Sequence, residues 1–287
     1  MRVRVVLRRV ELSVCRSEKI RLLAVCCLLC FGAISAHGKP DSLLLPLAHG
    51  ESITFDIYFK WGFIMPRAGV GTFFVDKQAD DSWNYSVIFR TLKLFDKVYP
   101  MRDTLSCVFS PQQQIVSAVK IADEDHKYDV DSLFFSFPAD EDSARIRSVR
   151  YKRHRFRFDT TLVALGKVYD MTGGTMYLRA INRLPAKPGE EFPLQIAIGR
   201  DIVNMSFHYI GEAVVEHKKK KYNTRYYSID IYDSAFSQAK AAAEIWVGND
   251  LNSVPIRVRA KLSIGAAEAY FREGYNLKYP MECMISR

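Results

Sequence analysis

The segment FDIYFKW alternates strictly. Phe55, Ile57, Phe59 and Trp61 share one parity, and Asp56, Tyr58 and Lys60 share the other. Successive strand side chains point to opposite faces, so this pattern predicts a β-strand with one buried side. It recurs from Ile53 to Phe271. GFIMPRAG is a Pro/Gly reversal into a second strand, VGTFFVD, and WNYSVIFR places Trp83, Tyr85, Val87 and Phe89 on one face. TLSCVFS, QIVSAVKIA and SLFFSF continue the series. PLQIAIGRDIVNMSFHYIG reads as a hairpin around Gly199-Arg200-Asp201, and EHKKKKYNTR as a tight basic reversal into YYSIDIY. The Ala-rich DSAFSQAKAAAE reads as a helix or a loose crossover, and EIWVGNDLNSVPIRVRAKLSIGAAEAYF as three strands.

One helix interrupts the strands. Thr172 is expected to cap GGTMYLRAINRL, with Tyr177, Ile181 and Leu184 at helical spacing and Pro185 ending it. The expected fold is mainly β, with roughly ten to twelve strands by this pattern. They would form one large curled antiparallel sheet, a half-barrel or open barrel, with one or two covering helices. A sheet of that size must curl, close or split, and its apolar face needs a cover.

The N-terminus predicts export. Basic RSEKIR runs into the apolar LLAVCCLLCFGAISA, followed by small residues and Lys39-Pro40, the layout of a secretory signal. The apolar run falls short of the ~20 residues that span a bilayer as a helix. Cleavage is placed after Ala36, giving a signal peptide over 1–36, a flexible segment over 37–49 and a single β-rich domain over 50–287. No transmembrane segment is expected after cleavage. Cys26, Cys27 and Cys30 each lack the small preceding residue that lipoprotein processing needs, so a periplasmic protein without a lipid anchor is expected. Residues 1–36 carry seven of the 41 Lys/Arg and two of the 32 Asp/Glu, so cleavage leaves 34 basic and 30 acidic residues. Only Cys107 and Cys283 lie beyond the signal. In an oxidising compartment they can pair as one disulfide, or remain two buried thiols.

The run RIRSVRYKRHRFRFD, Arg145 to Asp159, is the most basic stretch beyond the signal. A helix would scatter its charges, whereas one exposed strand places Arg145, Arg147, Arg153, Arg155 and Arg157 on a common face. Acidic residues of DEDHKYDVD are expected to offset the row from a neighbouring strand. Arg153, Arg155 and Arg157 are the candidate contacts for an anionic envelope partner. Export and the small remaining net charge argue against nucleic acid.

No catalytic signature emerges. The sequence has no Gly-x-Ser-x-Gly elbow, no P-loop and no His pair at metalloprotease spacing. The Asp-rich stretch around His126 lacks the Gly and terminal Glu of a calcium loop. Nothing singles out Glu244 or Glu268 as an acid for glycoside hydrolysis. Neither a cofactor nor a metal is expected.

Four segments carry a family resemblance. Gly50 to Val75, GESITFDIYFKWGFIMPRAGVGTFFV, opens with Gly-Glu, an aromatic strand and a Gly-rich reversal. LFDKVYPMRDTL contains a Tyr-Pro-x-Arg-Asp element. MYLRAINRLPAKPGEEFPL joins a Tyr-Leu-Arg helix to a Lys-Pro-Gly turn, and IWVGNDLNSVPIRVRAKLSIGAAEAYF ends the order. In this succession the chain resembles the bacterial domain of unknown function 3108 family. The Asp-Pro that enters the family's helix is Asp170-Met171 here. The resemblance implies an exported, mostly β protein, and implies no activity.

The expected function is a non-enzymatic binding or assembly factor for an apolar or lipid-like envelope component. Phe55, Ile57, Phe59, Trp61, Trp83, Tyr85 and Phe89 are the candidate cavity wall, and the same residues can instead fill a packed core. An envelope enzyme acting on glycans and a structural protein-docking module are the alternatives.

Overall fold

The computed structural model describes residues 45–285, apart from 98, 126, 140, 233–238 and 263–264. The expected signal peptide and its cleavage site lie outside the described residues. Part of the segment expected to be flexible is ordered: Leu45 and Leu47 are buried, and the Leu45 amide donates to Gln113 Oε1 at 2.6 Å. Two leucines two residues apart find a place in the core, so the packed domain includes residues before Gly50.

Among the described residues there are sixteen strands and two helices. In order they are β1 (Glu51–Lys60), β2 (Arg67–Lys77), β3 (Trp83–Thr91), helix α1 (Lys93–Asp96), β4 (Arg102–Phe109), β5 (Ile115–Glu124), β6 (Lys127–Ser136), β7 (Ser143–Lys152) and β8 (Arg155–Leu165). There follow β9 (Val168–Tyr169), helix α2 (Met171–Ile181), β10 (Glu191–Ile198), β11 (Asp201–His217), β12 (Lys220–Ile231), β13 (Ala239–Gly248), β14 (Pro255–Lys261), β15 (Ala266–Tyr275) and β16 (Met284–Ile285). One continuous sheet runs β8 to β1 in reverse, then β15 down to β9, with β16 added beside β12. The ladders are antiparallel except for β9 with β10. The two ends of this sheet approach each other. Ser148 Oγ donates to the Gly199 carbonyl at 2.5 Å, and the Arg200 guanidinium lies 4.5 Å over the Phe158 ring. The curled sheet expected from the alternation is thus a nearly closed, barrel-like one.

Three local readings are corrected. The basic run is a hairpin: β7 ends at Lys152, Arg153 and His154 both take positive φ in a two-residue turn, and β8 returns from Arg155. Two successive positive φ values make the turn whose twist suits a hairpin, and no Gly marked it in the sequence. The Ala-rich piece is strand β13 from Ala239 on. The small side chain of Ala243 fits between Ile229 and Ala260 in the neighbouring strands, where a larger one would crowd the core. The cap of α2 is Asp170, whose carboxylate accepts from the Thr172 and Gly173 amides at 3.0 and 2.7 Å. Met171 then takes the first helical position, which suits the Pro of the family's Asp-Pro equally well.

Helix α2 lies inside the sheet, with every residue from Thr172 to Ile181 buried. Two glycines let its first turn approach the strands. A Cβ on Gly173 would lie 3.2 Å from Ile115 Cδ1, and one on Gly174 3.0 Å from Ile196 Cδ1. Met176 and Ala180 pack with Val75, Tyr85, Leu105 and Ile146 on one half of the sheet. Tyr177, Leu178 and Ile181 pack with Phe207, Tyr227 and Ile245 on the other. A helix buried all round must also satisfy its polar groups. Arg179, fully buried, donates to Glu51 Oε1 at 2.5 Å and Oε2 at 3.2 Å, and to the Asn252 carbonyl at 3.1 and 3.2 Å. Asn182 at the C-cap donates to the Gly248 carbonyl and to Ser253 Oγ and accepts from Tyr227. Arg225 donates to the carbonyls of Asn182 and Leu184, helix-end oxygens that would otherwise lack partners.

Removing one member of a buried pair strands the other charge, at about 3–5 kcal/mol. Glu51→Ala should therefore lower unfolding stability by about that amount in urea titration, and a combined Glu51→Leu/Arg179→Met change should recover most of it. A loss under ~1 kcal/mol for the single change would mean that Arg179 does not depend on Glu51.

Candidate functional site at the mouth of the barrel

The turns β1–β2, β3–β4, β5–β6, β7–β8 and β10–β11 share one end of the sheet, because each joins antiparallel neighbours running the same way. The Glu51–Arg179 pair lies near the opposite end, at the start of β1. At the shared end, called the mouth here, the inner face changes character. Buried Leu105 on β4 faces Lys120 on β5, Lys120 faces Asp131 on β6, and Asp131 faces Arg150 on β7. Asp129 and Lys152 face each other on the adjoining rung, and Asp103 lies on the same side, opposite Phe89. These are inner positions by register. Their neighbours of equal parity, Cys107, Ala118, Leu133 and Ile146, belong to the core packed on α2.

The charges form two cross-strand rungs. Arg150 Nε lies 3.0 Å from Asp131 Oδ1, without an N–H aimed at that oxygen, so this is a Coulombic contact and not a hydrogen bond. Lys152 Nζ lies 3.4 Å from Asp129 Oδ2. The acidic stretch thus supplies partners from β6 to the inward-facing Arg150 and Lys152 and not to the exposed row expected, in which Arg145 pairs with Glu141 and Arg147 with Asp159. Asp103 is fully buried. Its Oδ1 accepts from the Asp123 amide at 3.1 Å, and its Oδ2 makes no hydrogen bond. Burial, reinforced by Glu124, raises its pKa from the ordinary 3.8 to about 7, against the pull of Lys120. Burial also raises Asp131, opposed first by Arg150. Tyr99 donates to Glu124 Oε2 at 2.8 Å, while Glu124 Oε1 and Asp129 Oδ1 make no hydrogen bond. Arg150 and Asp131 remain 33% and 18% exposed, so water reaches this end of the interior.

Two other buried acids of the sheet, Asp56 and Glu268, lie beside cations, although Asp56 Oδ1 also makes no hydrogen bond. Asp56 is held by Arg67 at 2.7 Å and Lys218 at 2.5 Å. Glu268 is held by Arg257 at 2.7 Å and by the Tyr270 hydroxyl at 2.6 Å. At the mouth, Asp103 Oδ2, Glu124 Oε1 and Asp129 Oδ1 are likewise buried without a hydrogen-bond partner. Among the described residues no three His, Cys, Asp or Glu side chains are grouped as a metal would need.

The seven candidate wall residues do not form one wall. Phe55, Ile57, Tyr85 and Phe89 are buried, with Phe55 edge-on to Phe73 and Phe271 at 5.1 and 6.3 Å between centroids. Phe59 is half-buried at the mouth end of β1, and Trp61 is exposed on the β1–β2 turn. Trp83 sits at the far end of β3, with Lys77 over its ring. Arg153, Arg155 and Arg157 are exposed on the β7–β8 hairpin. Of the two alternatives for Cys107 and Cys283, the structure has the second: both thiols are free and buried. They belong to separate clusters, Cys107 beside α2 and Cys283 beside Gly248. Burial pushes both thiols well above their usual range. Sequence reasoning missed Asp103, Lys120, Asp131 and Arg150 as a group. The available signal was a charge at the inward parity of an otherwise apolar strand.

The raised pKa of Asp103 makes a pH prediction. Between about 3.8 and about 7 the native state holds this proton and the unfolded chain does not. Stability therefore falls as pH rises through that window, by up to about 1.4 kcal/mol per pH unit, and levels off above it. Asp103→Asn should narrow the difference in urea midpoint between pH 5 and pH 8, with Asp131 retaining part of the slope. An unchanged difference would show that Asp103 ionises normally.

Comparison with known proteins bears on the fold. No curated protein matches this chain. Among solved structures, a β-barrel-like protein of domain of unknown function DUF1849 from Brucella abortus superposes with a TM-score of 0.51 at 9% identity, covering 81% of this chain and 99% of its own. A protein described as exported, with a YmcC-like fold, from Bacteroides fragilis gives 0.31 at 10% identity, covering 80% and 98%. One described as a lipoprotein from Parabacteroides distasonis gives 0.32 at 10%, covering 80% and 97%; these two scores are too low to argue from. The first shares the barrel-like fold alone. The family model for the proteins of unknown function DUF3108 matches residues 54–272, most of the chain, with three of the four segments that carried the resemblance whole and the first from Thr54 on, and the chain belongs to that family.

Proposed function

We propose that this is an exported, non-enzymatic protein of the cell envelope that binds a lipid-like amphiphile at the mouth of its barrel. The observation that carries the reading is the direct meeting of two surfaces. Phe89 and Asp103 are opposite one another on β3 and β4. On one side of that line the inner face is Phe89, Ile57 and Phe59; on the other it is Lys120, Asp131 and Arg150. An acyl chain lies against the first side, and a polar head group meets the second. Asp103 Oδ2, Glu124 Oε1 and Asp129 Oδ1 are buried without a hydrogen-bond partner, so a hydroxyl or ammonium group that reached them would meet unsatisfied acceptors. Lys120 and Arg150 attract phosphate.

The buried Phe55 and Tyr85 belong to the packing that supports this wall, and a ligand would enter at its mouth end, beside the half-buried Phe59. Export rests on the N-terminal segment, whose charged, apolar and small-residue regions follow the order of a secretory signal. No enzymatic step is assigned, because the charged rungs include no nucleophile poised beside a base.

Protein purified from its native envelope should carry lipid detectable by mass spectrometry. After delipidation, added fatty acid or phospholipid should raise the melting temperature by mass action. Arg150→Gln should reduce that rise for phospholipid more than for fatty acid esters that lack a charged head. Lipid-free native protein together with a melting temperature indifferent to every amphiphile would leave a purely structural or protein-docking role.

A further inference from the structure

The β1–β2 turn exposes more apolar surface than its fold requires. Trp61 and Ile64 exchange two backbone hydrogen bonds, at 2.9 and 3.1 Å, and Gly62 takes the positive φ that so tight a turn needs. Phe63 therefore stands at the apex of a fixed turn, fully exposed, with Trp61 60% and Ile64 57% exposed beside it. Helix α1 lies alongside: the Leu92 amide, just before it, donates to the Ala68 carbonyl at 2.9 Å, and Leu94 is 70% exposed. Any polar pair would close such a turn, so four large apolar side chains there call for a covering phase.

The charges nearby select that phase. Lys60 precedes Trp61, and Lys93 and Lys97 flank Leu94 on exposed positions. The one acid on α1, Asp96, is already engaged by Arg102 at 2.6 and 2.9 Å and by Thr91. Arg153 and Arg155 stand exposed on the β7–β8 turn at the same end of the barrel. The β5–β6 turn there adds the acids Asp123, Glu124 and Asp125, with Lys127 on Asp125 at 2.5 Å. A second copy seated on this end would set basic turn near basic turn across the two-fold axis, which is unfavourable. An anionic bilayer meets both features, since aromatic and aliphatic side chains enter the head-group region and cations rest on lipid phosphates.

We infer that the mouth end of the barrel is a membrane-docking surface, with Trp61, Phe63, Ile64 and Leu94 inserting into the interfacial layer of an anionic bilayer. This goes beyond the amphiphile reading and does not depend on it. Docking would set the charged rungs of the mouth against the lipid surface.

The test uses vesicles of phosphatidylglycerol with phosphatidylethanolamine, and of phosphatidylcholine alone, at low and physiological salt. Wild-type chain should co-sediment with the anionic vesicles, more weakly as salt rises. Phe63→Ser/Leu94→Ser should bind at least about tenfold more weakly, since two exposed apolar anchors are lost. Both forms carry the same N-terminus, so the difference reads the tip. Lipids brominated near the head group should quench part of the tryptophan emission, and Trp61→Phe should keep binding while losing that quenching. The double variant should keep the wild-type thermal response to monomeric amphiphile, which separates docking from ligand binding. The inference is overturned if wild type ignores anionic vesicles at low salt. It is equally overturned if the double variant binds them as well as wild type does. A concentration-dependent dimer abolished by the same double change would assign the patch to a second copy instead.

Discussion

The structure depends on one buried ion pair. Glu51 begins the first strand and Arg179 lies near the end of the internal helix, 128 residues later, and both side chains are excluded from water. A buried pair of this kind adds little net stability over an apolar pair of equal volume, because desolvating the charges offsets their attraction. Its effect is to fix position. Arg179 can be buried only where Glu51 and the Asn252 carbonyl meet it, so the helix has one place along the barrel axis and one rotation about its own. Asn182 and Arg225 complete the arrangement at the helix end. The same polar ties join the start of β1, the helix, β12 and the β13–β14 loop, which lie far apart in the chain.

That placement divides the interior. Toward the Glu51 end the helix fills the barrel, with one core on each side of it. Toward the other end the helix no longer supplies apolar partners to β4–β7, and those strands carry charge on their inner face. The charged rungs would be an error in a fully packed barrel, since unpaired carboxylate oxygens away from water are costly. The partial exposure of Asp131 and Arg150 makes them tolerable. The barrel is thus plugged by the helix at one end and polar on the inner face at the other, and the proposed amphiphile binding rests on that division.

Much of the architecture was legible because a buried sheet face enforces alternation residue by residue. Phe55, Ile57, Val87 and Phe89 were recognisable as inward-facing from period two alone, and the Gly199-Arg200 turn from its composition. The errors have physical causes. Arg153-His154 forms a turn usually marked by Gly or Asn, and neither residue announces positive φ. Ala239–Glu244 has helix-forming composition, yet strand pairing on both sides overrides local preference. Thr172 was a reasonable cap, but Asp170 two residues earlier reaches both free amides. The site itself was largely illegible. Asp103, Lys120, Asp131 and Arg150 come from four strands, and only the register brings them together. Arg179 and Glu51 were visible as parts of two recurring motifs, Tyr-Leu-Arg and Gly-Glu, while their contact was not.

The central claim is that the inner face at the mouth, where Phe89 meets Asp103, is where an amphiphile binds. The most direct measurement is photocrosslinking with a phospholipid bearing a photoreactive acyl chain, followed by peptide mapping. Adducts should concentrate on the mouth ends of β1, β3 and β4, around Phe59, Phe89 and Asp103, and unlabelled phospholipid should compete them away. Adducts spread over the outer face, or labelling that no competitor reduces, would contradict the account.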